Sequence, residues 1–259
     1  MSRSYCCIPH AAARALVAAL LTTAIASGGA IDVTAPSTGR PAFVAPGEAV
    51  QVLATAPDGA VLEARLLRRG STTGGVALEP RSSAARGVYT FRVPPEARRG
   101  TYDLELRAGG KISRTAHCVA VWQPGETLRL VHLSDFSLGD IAVPALDEHL
   151  VAEINLVAPD VIIATGDLVD RAHPRADEGW REISALLQRL DAPAIIARGE
   201  HDAPALYQRH VAPSPVGVVD VGWLRVLVLM DHDGALLSRD PEQMSWAEQV
   251  LSADAAARP

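Results

Sequence analysis

Three short apolar runs, each ending in an acidic loop, lie in the stretch of sequence that decides the fold. They read LVHLSD at residues 130–135, DVIIATGDLVD at 160–170 and PAIIARGEHD at 193–202. Apolar runs of this length, bounded by turn residues and separated by helix-length segments, are typical of buried parallel strands joined by helices. Loops at the carboxyl ends of such strands open onto one crevice. The sequence therefore predicts that five polar side chains converge in space: Asp135, Asp167, Glu200, His201 and Asp202.

The other segments of the second half suit the same α/β arrangement. Apolar residues recur at helical spacing over 147–157 and 180–190, which predicts two amphipathic helices. Two strand-like runs predict a hairpin around Gly222-Trp223, and Pro241 marks the start of a last helix that continues to about Leu251.

The first half has a hydrophobic period of two. Turn residues separate five alternating runs, at 49–54, 61–67, 88–93, 102–106 and 117–121. This pattern predicts an all-β, immunoglobulin-like sandwich domain over residues 31–122, with a packing or spacer role. Within it, Cys118 lies in an alternating run and is predicted to be a buried structural thiol.

The first 26 residues have the features of a signal peptide. Arg3 and Arg14 accompany an apolar core that begins at Ala15, and a small-x-small site ends at Ala26. We therefore expect an exported protein, periplasmic or extracellular. The apolar core is too short for a membrane span, and none is expected after the signal peptide is removed.

Composition narrows the choice of partners. The chain has 259 residues, of which 48% are hydrophobic, and this is enough for one or two cores. Its 24 Lys and Arg residues face 30 Asp and Glu, and no basic block or stripe occurs. Nucleic-acid binding, which depends on positive charge along the phosphate backbone, is therefore not expected.

The acidic loops resemble the motifs of the calcineurin-like metallophosphoesterases. That family carries D-x-H, G-D and G-N-H-D or G-N-H-E after its first three strands. Here Asp135-Phe136-Ser137, Gly166-Asp167 and Gly199-Glu200-His201-Asp202 occur in the same order. The resemblance implies an α/β metallophosphoesterase-like fold, a partial αββα sandwich, over residues 127–259. This predicted domain is incomplete, since it contains no counterpart of the family's C-terminal histidine motifs.

The resemblance also implies a metal site. Asp135, Asp167 and Glu200 match ligand positions, with Asp167 in the place that bridges two metals. His201 matches the catalytic residue that steadies the phosphoryl oxygen or the leaving group. The implied cofactor is a divalent metal ion, with Mn, Zn, Fe or Mg as candidates. Because Ser137 replaces a histidine ligand and Glu200 replaces an asparagine, we expect one ion or none to bind.

Two functional hypotheses follow from this resemblance. The first is a secreted metallophosphoesterase that hydrolyses phosphate mono- or diesters by metal-activated water, with impaired activity in this chain. The alternative is a non-catalytic pseudoenzyme or binding module with a vestigial acidic crevice. In either case the incomplete fold would leave an apolar face on the hairpin. A homo-oligomer or a completing chain is the expected partner for that face.

Two further histidine-containing segments have structural interpretations. His132 lies in the middle of a predicted strand and is expected in the core. Residues 231–234 read DHDG after a strand, and a turn is favoured there over a metal loop.

Overall fold

The computed structural model describes residues 30–57, 61–123, 125, 127–136, 146–172, 174–230 and 240–257. The predicted signal peptide, Ser137 and residues 231–234 lie outside the described residues. No helix within the described ranges combines the length and the hydropathy needed to cross a bilayer.

Nine strands form two sheets in the first half of the chain. They are β1 Asp32–Ala35, β2 Ala42–Val44, β3 Ala49–Thr55, β4 Glu63–Arg68, β5 Val76–Ala77, β6 Glu79–Ala85, β7 Val88–Arg92, β8 Gly100–Ala108 and β9 Lys111–Val121. One sheet has the order β1-β3-β7-β6 and the other the order β2-β9-β8-β4-β5. The pairing is antiparallel except between β2 and β9, which are parallel.

The two sheets share one hydrophobic core. Alternate residues Val50 and Val52 of β3 face inward and pack with Leu66 of β4 and Leu104 of β8. This arrangement is what the period of two produces when one face of each strand is buried. Packing of two β-sheets is thus observed, whereas the immunoglobulin-like type and the domain boundaries stay predictions. Cys118 is fully buried, as predicted, and burial raises the pKa of its thiol to about 12.

The second half begins with a three-stranded parallel sheet. It consists of β10 Leu130–Leu133, β11 Val161–Ala164 and β12 Ala194–Ile196, in that order, with helices α1 Leu146–Val157 and α2 Ala176–Leu187 between them. In the register, Ile163 lies opposite His132 on one side and Ile195 on the other. The predicted βαβαβ order is therefore confirmed.

The two faces of this parallel sheet pack against different layers. Val151 of α1 and Trp180 of α2 cover Ile162 on one face, and a short helix, α3 Pro204–His210, joins them there. On the opposite face, Val161 and Ile195 pack against a two-stranded hairpin, β13 Gly217–Val221 and β14 Leu224–Val228.

The last helix, α4 Pro241–Ala257, holds the end of the hairpin. Its buried Gln243 accepts a hydrogen bond from the backbone N–H of Met230 (2.6 Å) and donates one to the carbonyl of Met230 (2.9 Å). At the hairpin turn the side chain of Trp223 is exposed. That a partner covers the apolar face of the β13–β14 hairpin stays a prediction.

The two halves are joined by packing and by polar contacts. Trp122, just after β9, lies in the same buried cluster as Val161 and Ile195. Its indole N–H donates to the carboxylate of Asp160 (3.0 Å), which also pairs with Arg99. These contacts connect the end of the first half directly to the start of β11.

One prediction about a histidine was wrong. His132 is exposed, and its Nε2 lies 2.8 Å from the hydroxyl of Thr165. In β10, Val131 and Leu133 face the helices, so His132 points to the opposite face. That face is covered by the hairpin at β11 and β12, but β10 lies at the sheet edge.

Candidate metal site

The loops after β11 and β12 are in backbone contact. Gly166 has a φ of 94°, and an added Cβ there would lie 2.2 Å from the backbone nitrogen of Gly199. An added Cβ on Gly199 would lie 2.1 Å from Oδ1 of Asp167. Only glycine fits at both positions, because no real Cβ approaches another heavy atom so closely.

A buried carboxylate ties these two loops together. Asp202 is fully buried, and one of its oxygens accepts hydrogen bonds from the backbone N–H groups of Asp167 and Gly199, both at 2.9 Å. The other oxygen accepts from Leu168 and Val169, both at 3.0 Å. Burial raises the pKa of Asp202, although these hydrogen bonds oppose the shift.

Three side chains at the ends of β11 and β12 form the candidate site. One ligand atom from each of Asp167, Glu200 and His201 lies within 4.8 Å of the others. Oδ1 of Asp167 accepts a hydrogen bond from the backbone N–H of His201 (2.9 Å), and Nε2 of His201 lies 3.4 Å from Oε1 of Glu200. Asp167 is half-buried, whereas the other two side chains are exposed. The predicted convergence is therefore observed for these three residues.

Asp135 lies beside this group without joining it. Its backbone N–H donates to the carbonyl of Gly166 (3.2 Å), and its φ is 57°. Its carboxylate accepts a hydrogen bond from the hydroxyl of Ser134, and among the described residues it is not part of the three-residue cluster. The backbone of Asp135 is thus at the expected strand end, but its carboxylate is not among the three clustered donors.

A groove of about 400 Å³ adjoins the cluster. It lies between the parallel sheet and β14, and it is lined at one end by Asp167, Arg198 and Glu200. The guanidinium of Arg198 contacts the sulfur of Met230 and donates to the carbonyl of Asp202 (3.0 Å). Because these partners are neutral, Arg198 brings positive charge to the acidic end of the groove.

Residues 128–248 match the family model of the calcineurin-like phosphoesterases. This segment belongs to the calcineurin-like phosphoesterase family. A probable cyclic nucleotide phosphodiesterase from Rhodococcus erythropolis is 32% identical over 150 residues, which cover 49% of this chain and 48% of that protein.

Two solved structures also show similarity to the chain. A purple acid phosphatase from yellow lupin seeds is 12% identical, with a TM-score of 0.46, over 86% of this chain and 48% of that protein. A DUF4784 family protein from Bacteroides caccae is 15% identical, with a TM-score of 0.24, over 38% of this chain and 25% of that protein. The chain spans about half the length of the phosphodiesterase and of the lupin enzyme.

The donor set of this phosphoesterase segment fits one divalent cation. Two carboxylates and an imidazole are ligands that zinc and other transition metals accept. With metal–ligand bonds of ~2 Å, ligands of one ion lie roughly 3–4 Å apart. The exposed side chains of Glu200 and His201 can turn by the small amount that this requires.

Sequence reasoning did not find the tethering role of Asp202. The residue was expected in the crevice, yet both oxygens of its carboxylate accept hydrogen bonds from backbone N–H groups of the loops after β11 and β12. Four donors on one carboxylate depend on how two loops fold against each other, and no local pattern of residues signals this.

Proposed function

We propose that the chain is a metal-dependent phosphoesterase whose single-cation site is formed by Asp167, Glu200 and His201. The observation that carries the proposal is the meeting of these three donors at neighbouring strand ends in a calcineurin-like phosphoesterase segment. The match to this family supports phosphoester hydrolysis as the activity.

The protein's own residues have defined tasks in this proposal. Asp202 and the N–H of His201 fix the carboxylate of Asp167, which would hold the cation together with the side chains of Glu200 and His201. A cation held there would supply Lewis-acid polarisation of a phosphoryl oxygen and would make a nearby water more acidic. Arg198 supplies positive charge for the phosphate at the end of the groove.

Low turnover is part of the proposal. Three donors hold one ion, whereas the two-metal mechanism clamps both the attacking and the leaving oxygen. The alternative, a cation-binding module without catalysis, is favoured by the same small donor set and by the carboxylate of Asp135 standing apart. Export of the mature chain from Ser27 onward is also proposed, and N-terminal sequencing of secreted protein would test that start site.

The test combines metal binding with hydrolysis. Purified protein is titrated with Mn²⁺ by calorimetry and assayed on p-nitrophenyl phosphate and bis(p-nitrophenyl) phosphate. We expect Mn²⁺-dependent hydrolysis that Asp167→Asn lowers by at least about 10–100-fold, because the variant removes a ligand charge but keeps an oxygen for the N–H of His201.

Glu153→Gln is the matched control, since Glu153 is an exposed acid on α1 outside the cluster, and this variant should hydrolyse both esters at the wild-type rate. Binding of Mn²⁺ without hydrolysis would favour the cation-binding module. If the wild type neither binds Mn²⁺ nor hydrolyses either ester, both proposals are rejected.

A further inference from the structure

A loop from the first half of the chain reaches the edge strand of the parallel sheet. Residues 37–40, here called the junction loop, close on themselves through two backbone hydrogen bonds between Ser37 and Arg40, both at 3.1 Å. At the loop tip, the carbonyl of Gly39 accepts from the N–H of Ile196 (3.1 Å), and the N–H of Gly39 donates to the carbonyl of Val211 (3.0 Å). The junction loop thereby occupies the free edge of β12.

Among the residues that the structure describes, none gives the guanidinium of Arg40 in this loop an acidic partner. Its Nη1 donates to the carbonyls of Gly39 (2.8 Å) and Ile196, and its Nη2 donates to that of Pro215 (3.0 Å). Its Nε is buried without a hydrogen-bond partner, and no described carboxylate forms an ion pair with it. Burial lowers the pKa of Arg40, but an arginine keeps its charge in proteins.

Burying the charged guanidinium of Arg40 in this way lowers the stability of the fold, which indicates that the residue has a specific role. Removing a charge from water carries a large penalty, and backbone carbonyls compensate it only in part. Three carbonyls gathered on one guanidinium do, however, fix the backbone that carries them. Arg40 therefore fixes the relative positions of the junction loop, the end of β12 and the segment before β13.

The end of β12 is the segment that leads into the candidate metal site. The carbonyl of Ile196 accepts from Arg40 and also from the hydroxyl of Tyr207 (2.7 Å). Three residues further on is Gly199, whose N–H is bound by Asp202 together with that of Asp167. Residues 199–202, here called the site loop, carry Glu200 and His201. The position of Ile196 thus sets where the site loop begins.

We propose that Arg40 is a positioning residue for the metal site, acting through the carbonyl of Ile196 on the site loop that carries Glu200 and His201. The inference rests on the proposed function only where Mn²⁺ affinity is measured, since amide hydrogen exchange does not require a bound metal. It gives the first half of the chain a part in the site that neither the family match nor the sequence motifs assign, since the match begins at residue 128.

The test compares Arg40→Met with Arg69→Met in the full chain. Arg69 is the matched control, because it also donates across the two halves, to the carbonyl of Gln188 (3.0 Å), but away from the site loop. Two readouts are taken well below the melting temperature, so that only folded protein contributes. One is the dissociation constant for Mn²⁺, and the other is amide hydrogen exchange at Leu168, Val169 and Gly199, whose N–H groups bind Asp202.

We expect Arg40→Met to weaken Mn²⁺ binding by about tenfold or more, the size found when support of a metal ligand is lost. Exchange at the three amides should accelerate as well. Arg69→Met should change neither readout, and Arg40→Lys, which keeps the charge with fewer donors, should lie between Arg40→Met and the wild type.

Equal Mn²⁺ affinity and equal exchange in Arg40→Met and the wild type would overturn the inference, and so would equal losses in Arg40→Met and Arg69→Met. If the wild type binds no Mn²⁺, the proposed function fails, and the exchange comparison alone decides the role of Arg40. If Arg40→Met does not fold, Arg40→Lys is measured against Arg69→Lys on the same readouts.

Discussion

At the scale of single residues, the carboxylate of Asp202 determines how the loop after β11 meets the site loop after β12. It satisfies four backbone N–H groups that would otherwise be left without acceptors at the ends of β11 and β12. A buried donor without a partner costs its full desolvation penalty. The candidate cation ligands therefore depend on an acid that does not itself belong to their cluster.

Asp202→Asn should destabilise the fold on the order of 3 kcal/mol, because the amide nitrogen faces N–H donors and leaves some of them unpaired. Urea unfolding of the variant and the wild type measures the difference. Asp170→Asn is the control, since from the described residues Asp170 accepts one hydrogen bond, from the N–H of Ala172 (2.8 Å), and its loss should cost about 1 kcal/mol or less. Equal losses in the two variants would contradict the role given to Asp202.

The site could be predicted from the sequence only in part. The βα pattern brought Asp167, Glu200 and His201 together correctly, since side chains at neighbouring strand ends must meet. The same pattern also placed the backbone of Asp135 correctly, but the direction of its carboxylate is set by the loop conformation and by Ser134. Strand periodicity contains no information about such local turns.

At the scale of elements, strands with strong alternation were predictable and short or polar strands were not. β3 and β7 lie within one residue of the predicted runs, and α2 begins four residues earlier than predicted, at Ala176. β1, β2 and β5 have two to four residues each, too few for a period to show. Their position is determined by pairing with neighbouring strands.

The junction loop provides a test at the same scale. In Gly39→Ala the new Cβ would lie 2.2 Å from Cγ1 of Val211 and 3.2 Å from Cβ of Ile196. We expect a loss of about 1–3 kcal/mol, the usual cost of overpacking, because the loop must move away from β12. Gly125→Ala is the control, since its Cβ would meet nothing closer than 3.7 Å. Thermal unfolding of the two variants should differ clearly, and matching curves would mean that the edge of β12 tolerates a shift.

At the scale of the whole molecule, contacts between the halves are spread along one long interface. Near one end, Asp160 links Arg99 and Trp122 to the start of β11, and burial opposes its charge. The N–H of Arg129 (2.8 Å), the indole of Trp122 and the guanidinium of Arg99 nevertheless hold the pKa of Asp160 below its usual range.

At a second point of the interface, His117 is buried, and its Nε2 lies 3.0 Å from the carbonyl of Ala192. The halves should therefore unfold together.

The buried His117 gives this interface a pH dependence. Burial lowers its pKa, so the unfolded chain binds a proton first as the pH falls. The stability that the neutral imidazole contributes is complete above the unfolded pKa of about 6.5 and is lost below it, down to the folded pKa. The free energy of unfolding should fall between pH 7.5 and 5, and less steeply in His117→Asn, because asparagine accepts the positive φ of 54° without titrating.

Urea unfolding at several pH values measures these slopes. His149→Asn, at an exposed position of α1, should keep the wild-type slope. A slope in His117→Asn as steep as that of the wild type would assign the pH dependence to other groups.

The backbone contact between Gly166 and Gly199 has a consequence for other members of the family. A homologous chain with any side chain at either place must hold its two loops further apart than they are here. Its acids could then not serve one small ion in this arrangement, however many of them it retained. Glycine at both of these positions is therefore a better criterion than the number of carboxylates for deciding which homologues can form the candidate site described here.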